Sequence, residues 1–91
     1  MMGKNFKTPG KLGHMIAMNV RMRRKERKLS LRRLSEMSGV SYGSMRRFES
    51  SGEIALMSLL KIAIVLDCAD DFETLFASEQ PQSIQEIIDR L

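Results

Sequence analysis

The chain has 91 residues, a formal net charge of +4 and 43% hydrophobic residues. This length predicts one domain with a single small core and disfavours a second folded domain. The sequence lacks Trp, has only two Pro and contains long stretches with helical periodicity, which together favour an all-α fold. Its one cysteine, Cys68, has no internal disulfide partner, which is typical of a cytoplasmic protein. We expect no signal peptide and no membrane span, because no uncharged apolar run is long enough.

Charge is divided unequally between the two halves of the chain. Residues 1–47 hold 13 basic and 2 acidic side chains (+11), and residues 48–91 hold 2 basic and 9 acidic (−7), which together give +4. The basic half therefore favours a polyanion such as nucleic acid as its partner. A solvated basic helix face or an anionic membrane surface would explain the same charge.

The N-terminal region predicts an arm followed by a helix. Residues 1–11 are rich in Gly and Lys and indicate a flexible basic arm, which either contacts a polyanion or has no partner. A first helix is expected from about Leu12 or His14 to Lys28. Its inward face is expected to carry Leu12, Met15, Ile16 and Val20.

The stretch from Ser30 to Glu49 has the pattern of a helix-turn-helix. Two short amphipathic segments flank a Gly-Val-Ser turn, which is too short for the helices to separate, so they must cross steeply around a shared core. Ser30 and Ser41 are expected to cap the two helices, and Gly39 to end the first one with a positive φ. The inward side is predicted to consist of Leu34, Met37, Val40, Met45 and Phe48.

The outward face of the second segment is small, polar and cationic. It comprises Tyr42, Gly43, Ser44, Arg46 and Arg47. An arginine in the major groove can donate two hydrogen bonds to guanine O6 and N7, which typically discriminates by about 1–3 kcal/mol. For Arg46 and Arg47 the alternative is a solvated surface pair.

The motif extends into a longer pattern that is distributed over residues 12–67. It comprises Arg24, Leu29-Ser30, Leu34-Ser35, Gly39-Val40-Ser41, Met45, Phe48-Glu49, Gly52 and Leu59-Leu60-Lys61-Ile62-Ala63. This pattern resembles the phage-repressor-like helix-turn-helix family, also called Xre or Cro/cI-type. The resemblance implies a compact bundle of about five short helices, with the third helix lying in the major groove of double-stranded DNA.

The resemblance also implies roles for individual residues. It assigns Tyr42, Gly43 and Arg47 to base reading, and it pairs Arg24 with Glu49 in a structural salt bridge. Residues near the DNA backbone are expected to be Ser30, Arg32, Arg33, Ser41, Ser44 and Arg46.

Two positions depart from the family pattern. Leu31 stands where a Gln commonly contacts a phosphate, so phosphate contact is expected to depend more on Arg32, Arg33 or the N-terminal N–H groups of that helix. Ala55 stands where Ser or Thr commonly caps the fourth helix. This second change is expected to weaken the cap without altering the fold.

The rest of the DNA-binding domain, predicted at residues 12–77, should contain two further helices. The fourth is expected over Leu56–Leu66, with an inward stripe of Leu56, Leu59, Leu60, Ala63 and Leu66 and with additional apolar surface at Ile62, Ile64 and Val65. A fifth is expected to start at Asp70. Its apolar residues available for packing are Phe72, Leu75 and Phe76.

Residues 78–91 are predicted to form a linker and a C-terminal helix. A capping box at Ser83–Glu86 would begin this helix. Its apolar stripe consists of Ile84, Ile87, Ile88 and Leu91. The stripe is expected either to fold back on the fourth helix, next to Ile64, or to meet its counterpart in a second subunit.

These observations favour a binding protein over an enzyme. The only histidine is His14, no partner histidine lies near Cys68 in sequence, and no metal-ligand cluster or phosphate-binding loop is present, so no cofactor or metal is expected. The leading prediction is a sequence-specific double-stranded DNA-binding transcription regulator that represses as a homodimer. The acidic C-terminal half is also similar to antitoxin-type regulators that bind a cognate toxin, for example a HipA-like kinase. A third alternative is a protein-interaction module, which predicts weak, sequence-insensitive binding to duplex DNA.

Overall fold

A computed structural model describes residues 7–78 and 84–91, and within these ranges the chain forms helices and no strand. The helices are α1 (Pro9–Glu26), α2 (Leu31–Ser38), α3 (Tyr42–Ser51), α4 (Leu56–Val65), α5 (Asp70–Glu73) and α6 (Ile84–Asp89). The predicted all-α fold is confirmed. α3 packs against both α1 and α2, and α2 also packs against α4. This arrangement fixes α3 between two neighbours.

Helix α1 begins three residues before the earlier of its two predicted starts. Thr8 is its N-cap, with the hydroxyl accepting from the Lys11 backbone N–H at 3.1 Å, and Pro9 occupies the first turn. A capping threonine followed by proline is a start signal, so the prediction of a start at residue 12 or 14 is wrong. The helix also ends earlier, at Glu26, before Lys28 adopts a φ of 57°. Residues 1–6 of the predicted arm lie outside the described residues.

The inward face of α1 differs from the prediction. The structure buries Ala17 and Arg24, which are seven residues apart and therefore share one face, and Val20 lies between them half-buried against the core. Three predicted inward residues are exposed instead: Leu12, Met15 and Ile16. The two buried residues of this face are thus a small alanine and a long arginine. Apolar periodicity does not identify such a face.

The helix-turn-helix has the predicted caps and turn. Ser30 accepts a hydrogen bond from the Arg33 N–H at 3.0 Å, and Ser41 accepts one from the Ser44 N–H at 3.1 Å. Gly39 has a φ of 78°, which ends α2 in the left-handed region. These three predictions are confirmed.

The central core is a cluster of five buried residues, Leu34, Val40, Met45, Ile62 and Leu66. The predicted burial of Leu34, Val40, Met45 and Phe48 is confirmed. The predicted burial of Met37 is wrong, because this side chain is 47% exposed. The inward face of α2 instead passes through residues 31, 34, 35 and 38, at helical spacing, and leaves residue 37 to one side.

Helix α4 also contributes to this core, but its buried face differs from the predicted one. Ile62, expected outside the inward stripe, is fully buried, whereas Leu56, expected inside it, is exposed. Ala63 and Leu66 are buried as predicted. Ala55 is the N-cap and makes no side-chain capping hydrogen bond, which confirms that departure from the family pattern.

The C-terminal elements cover less apolar surface than predicted. Phe72 is half-buried, but Leu75 is exposed and Phe76 is 98% exposed, so their predicted packing is wrong. The cause is that α5 has only four residues, and residues 74–76 form turns in which Phe76 has a φ of 60°. Ser83 of the predicted capping box lies outside the described residues. Across the described residues, no helix is both long and apolar enough to traverse a membrane.

Candidate nucleic-acid interface

The outward face of α3 is set by the two residues that anchor the helix. Met45 and Phe48 are buried, three residues apart, and so turn the opposite side of α3 to solvent. Gly43, Ser44, Arg46 and Arg47 are exposed there, and Tyr42 is half-buried at the helix start. All five residues of the predicted outward face therefore lie on one accessible surface, which we call the α3 face.

The N-termini of α2 and α3 are both capped by serine hydroxyls. The Ser41 hydroxyl, besides capping α3, donates to the Ser44 hydroxyl oxygen at 2.9 Å. Ser30 caps α2 in the same way through the Arg33 N–H. Both serines are exposed. N-terminal helix turns present N–H groups and a positive dipole end, which suit an anion such as a phosphate.

Tyr42 is contacted by two arginines from different helices. The Arg32 guanidinium carbon lies 4.5 Å from the centre of the Tyr42 ring, and the Arg46 carbon lies 5.9 Å from it. Both distances are within the range of a cation–π contact. The ring therefore joins a cation of α2 to a cation of α3.

Arg33 has a different environment from Arg32. Its Nη1 lies 3.3 Å from Glu36 Oε1, in an exposed pair three residues apart on α2. Part of its charge is therefore neutralised locally. Of the two arginines predicted to substitute for the missing Gln at position 31, Arg32 is the one that contacts α3, through the Tyr42 ring.

Arg47 is paired with a carboxylate that the sequence did not identify. Its Nη2 donates to Glu53 Oε1 at 2.6 Å, and both side chains are largely exposed. Glu53 follows Gly52, whose φ of 79° turns the chain back towards the helix. In the sequence, Gly52 was the signal that could have indicated that Glu53 turns back towards Arg47.

Arg24 and Glu49 form a partly buried pair behind the α3 face. Arg24 Nη2 lies 3.3 Å from Glu49 Oε2, and Arg24 Nη1 donates to the Leu29 carbonyl at 2.8 Å. The two side chains are only 10% and 22% exposed. They link α1, the α1–α2 connection and α3, and this position gives them a structural role.

The turn between α2 and α3 is held by serine hydroxyls. Ser35 Oγ donates to the Val40 carbonyl at 2.5 Å, and the Val40 N–H donates to Ser38 Oγ at 3.2 Å. The sequence did not predict that Ser35 and Ser38 of α2 would hold the turn. They satisfy both backbone groups of the residue that fills the turn.

Several apolar residues remain outside the core. Ile64 of α4 is 68% exposed, and the residues of the predicted C-terminal stripe are all exposed, at least by half. This stripe comprises Ile84, Ile87, Ile88 and Leu91. The described part of the chain thus leaves it uncovered.

The comparison with known families identifies the motif. A family model described as helix-turn-helix matches residues 20–72, which is more than half of the chain. The chain belongs to the Xre/cI-type helix-turn-helix family. The membership predicted from the sequence is confirmed. It makes the protein a DNA-binding protein of the transcription-regulator kind.

The matched region of the helix-turn-helix family contains α2, α3 and α4, the C-terminal part of α1 and all but the last residue of α5. It therefore includes the α3 face, the Arg24–Glu49 pair and Glu53. No curated protein matches the chain.

Proposed function

We propose that the protein is a cytoplasmic, sequence-specific double-stranded DNA-binding repressor that acts as a homodimer. The observation that carries this proposal is the α3 face, a polar and cationic surface on a helix that is fixed from behind by buried Met45 and Phe48. A helix of this kind fits the width of the major groove. Occupation of promoter DNA by such a protein blocks transcription.

Base reading is proposed for the solvent-facing residues of α3. Arg47 donates to guanine O6 and N7, and Tyr42 contacts a neighbouring base or a thymine methyl. Gly43 is exposed and has no side chain, and we propose that this lets the backbone of α3 approach the bases closely.

Backbone contact is proposed for the residues that flank the α3 face. The N-termini of α2 and α3, capped by Ser30 and Ser41, each offer N–H groups to a phosphate. The side chains proposed to assist are Arg32, Arg33, Ser44 and Arg46.

Dimer formation is supported by the uncovered apolar surface. Ile64 and the C-terminal stripe are exposed in the single chain, and burying them against a second copy would remove apolar area from water. Two copies would place two α3 helices about 34 Å apart, one DNA turn, so that they read paired half-sites.

The DNA-reading proposal is tested by selecting duplexes from a randomised pool with the wild-type protein. Arg47→Ala should then bind the selected duplex more weakly and relax the preference at one base pair. Lys61→Ala is the matched control, because it removes an exposed cation from α4 and leaves every side chain of α3 in place. An Arg47→Ala protein with wild-type affinity and preference would contradict the proposed role.

The dimer proposal is tested by sedimentation. Replacing Ile87 and Ile88 with Asp should lower the sedimenting mass from a dimer to a monomer, because two charges cannot be buried unpaired in an apolar interface. Met18→Asp serves as the control, because Met18 is an exposed apolar residue on α1, outside the proposed interface. A dimer that persists in the double variant would place the interface elsewhere.

A toxin-binding antitoxin is the second candidate. Phe76 and Leu91 are each 98% exposed, and they belong to the acidic half of the chain, as expected for a surface that a protein partner covers. This candidate predicts a stable complex with the product of a neighbouring gene, measured by sedimentation of the purified mixture. The complex should be lost in Phe76→Asp while duplex binding is retained.

A further inference from the structure

A carboxylate lies beside the arginine that is proposed to read bases. Glu53 Oε1 accepts from Arg47 Nη2 at 2.6 Å, a shorter distance than the 3.3 Å of the Arg24–Glu49 pair. The side chains of Arg47 and Glu53 are 70% and 65% exposed, so the pair meets solvent together. Any duplex that contacts the Arg47 guanidinium therefore approaches this carboxylate as well.

The backbone of Glu53, from which the carboxylate extends, is held by the turn after α3. Gly52, in the left-handed region, reverses the chain at the end of α3. The Glu53 N–H donates to Ser51 Oγ at 3.1 Å, and Ser51 Oγ donates to the Arg47 carbonyl at 2.7 Å. One serine hydroxyl thus connects the backbones of both partners in the ion pair.

We propose that Glu53 is a specificity-determining residue for the bound duplex; this inference rests on the proposed DNA-reading function. Glu53 orients the Arg47 guanidinium through one nitrogen, and the group's remaining N–H donors are sufficient for a two-bond contact with guanine. Where guanine is absent, Arg47 stays with Glu53 and the carboxylate repels the nearby phosphates. Glu53 therefore weakens binding to wrong sequences more than binding to the right one.

Two other roles for the Arg47–Glu53 pair predict different results. The first is a purely structural ion pair. Exposed pairs of this kind contribute little to folding, so loss of Glu53 should hardly change stability. If Glu53 only adds a negative charge near DNA, its removal strengthens binding to every sequence by the same factor. The specificity role instead requires the factor to differ between sequences.

The experiment compares two duplexes and two neutralised variants. The probes are a duplex selected from a random pool by the wild-type protein and a duplex with the same bases in scrambled order. Glu53→Gln should bind the scrambled duplex more tightly than the wild-type protein does. The ratio of the affinity for the selected duplex to that for the scrambled duplex should fall by about fivefold or more, because fivefold corresponds to the lower end of the discrimination by one bidentate base contact. Glu36→Gln removes an equally exposed carboxylate from the Arg33 pair and should leave the ratio unchanged.

A second variant tests how the carboxylate is positioned. Ser51→Ala retains every charge but removes the hydroxyl between Glu53 and Arg47, so the ratio should fall without a gain in affinity for the scrambled duplex. Thermal unfolding confirms that each variant is folded. An unchanged ratio in Glu53→Gln overturns the inference while leaving the proposed function intact. A wild-type protein that does not distinguish the two duplexes overturns both.

Discussion

Gly13 of α1 and Gly52 at the end of α3 are in direct backbone contact. A Cβ on Gly13 would lie 2.7 Å from the Gly52 carbonyl oxygen, and a Cβ on Gly52 would lie 2.6 Å from the Gly13 carbonyl carbon. Neither distance is tolerated by real side chains. This contact joins α1 to the turn that positions Glu53. Helix α1 therefore supports the candidate interface, although it contributes none of the residues proposed to read bases.

Gly13→Ala should therefore destabilise the protein. The added methyl group meets backbone atoms that cannot rotate away, and overpacking of this kind typically costs about 1–3 kcal/mol, which exceeds the gain from a better helix former. The melting temperature should fall by roughly 4–8 °C for each kcal/mol. Gly10→Ala is the matched control, because a Cβ there has open space within 4 Å. Similar melting temperatures for the two variants would contradict the close contact.

The Arg24–Glu49 pair predicts a second loss of stability. Glu49→Ala removes the carboxylate partner of the mostly buried Arg24 guanidinium, which then keeps its hydrogen bond to the Leu29 carbonyl at 2.8 Å. We expect the free energy of unfolding in urea to fall by about 2 kcal/mol, the scale for a hydrogen bond to a charged group. Glu36→Ala, which removes an exposed pair, should change it by less than about 0.5 kcal/mol. Equal effects would show that the two pairs have the same role.

Local signals in the sequence were sufficient to predict the helix-turn-helix. Ser30, Gly39 and Ser41 determine where two helices start and one ends by hydrogen bonding and backbone sterics within a few residues. Such signals need no knowledge of the rest of the fold. The same reasoning predicted the outward α3 face, because Met45 and Phe48 define the opposite side.

Contacts between distant segments could not be predicted in this way. The burial of Ala17 depends on how closely α1 approaches α3, which a helical pattern does not specify. Phe76 has apolar chemistry suited to a core, but the short α5 leaves it exposed. Glu53 was overlooked because its ion pair with Arg47 depends on the direction of the chain after Gly52, a tertiary property.

Leu31, one of the two departures from the family pattern, has a structural explanation. It is half-buried and packs against the core cluster, where a Gln side chain would bury less apolar area. Leu31→Gln should lower the free energy of unfolding by about 1 kcal/mol. It should also raise affinity for the selected duplex without changing base preference, since the amide can donate to a phosphate. Leu31→Met is the control for packing alone, and an equal affinity of the Gln and Met variants would argue against a phosphate near this position.

Besides its proposed base contact, Tyr42 should act through the two arginines on its ring. Arg32 and Arg46 lie 4.5 and 5.9 Å from the ring centre, so Tyr42→Ala removes the ring that both guanidinium groups contact. We expect weaker duplex binding and a weaker salt dependence. The slope of the logarithm of the binding constant against the logarithm of the salt concentration should become shallower by about 0.9 for each phosphate that the protein no longer neutralises. Tyr42→Phe retains the ring and should keep the wild-type slope. If Phe weakens binding as much as Ala does, the hydroxyl itself contacts the DNA and positioning of the arginines is the lesser effect.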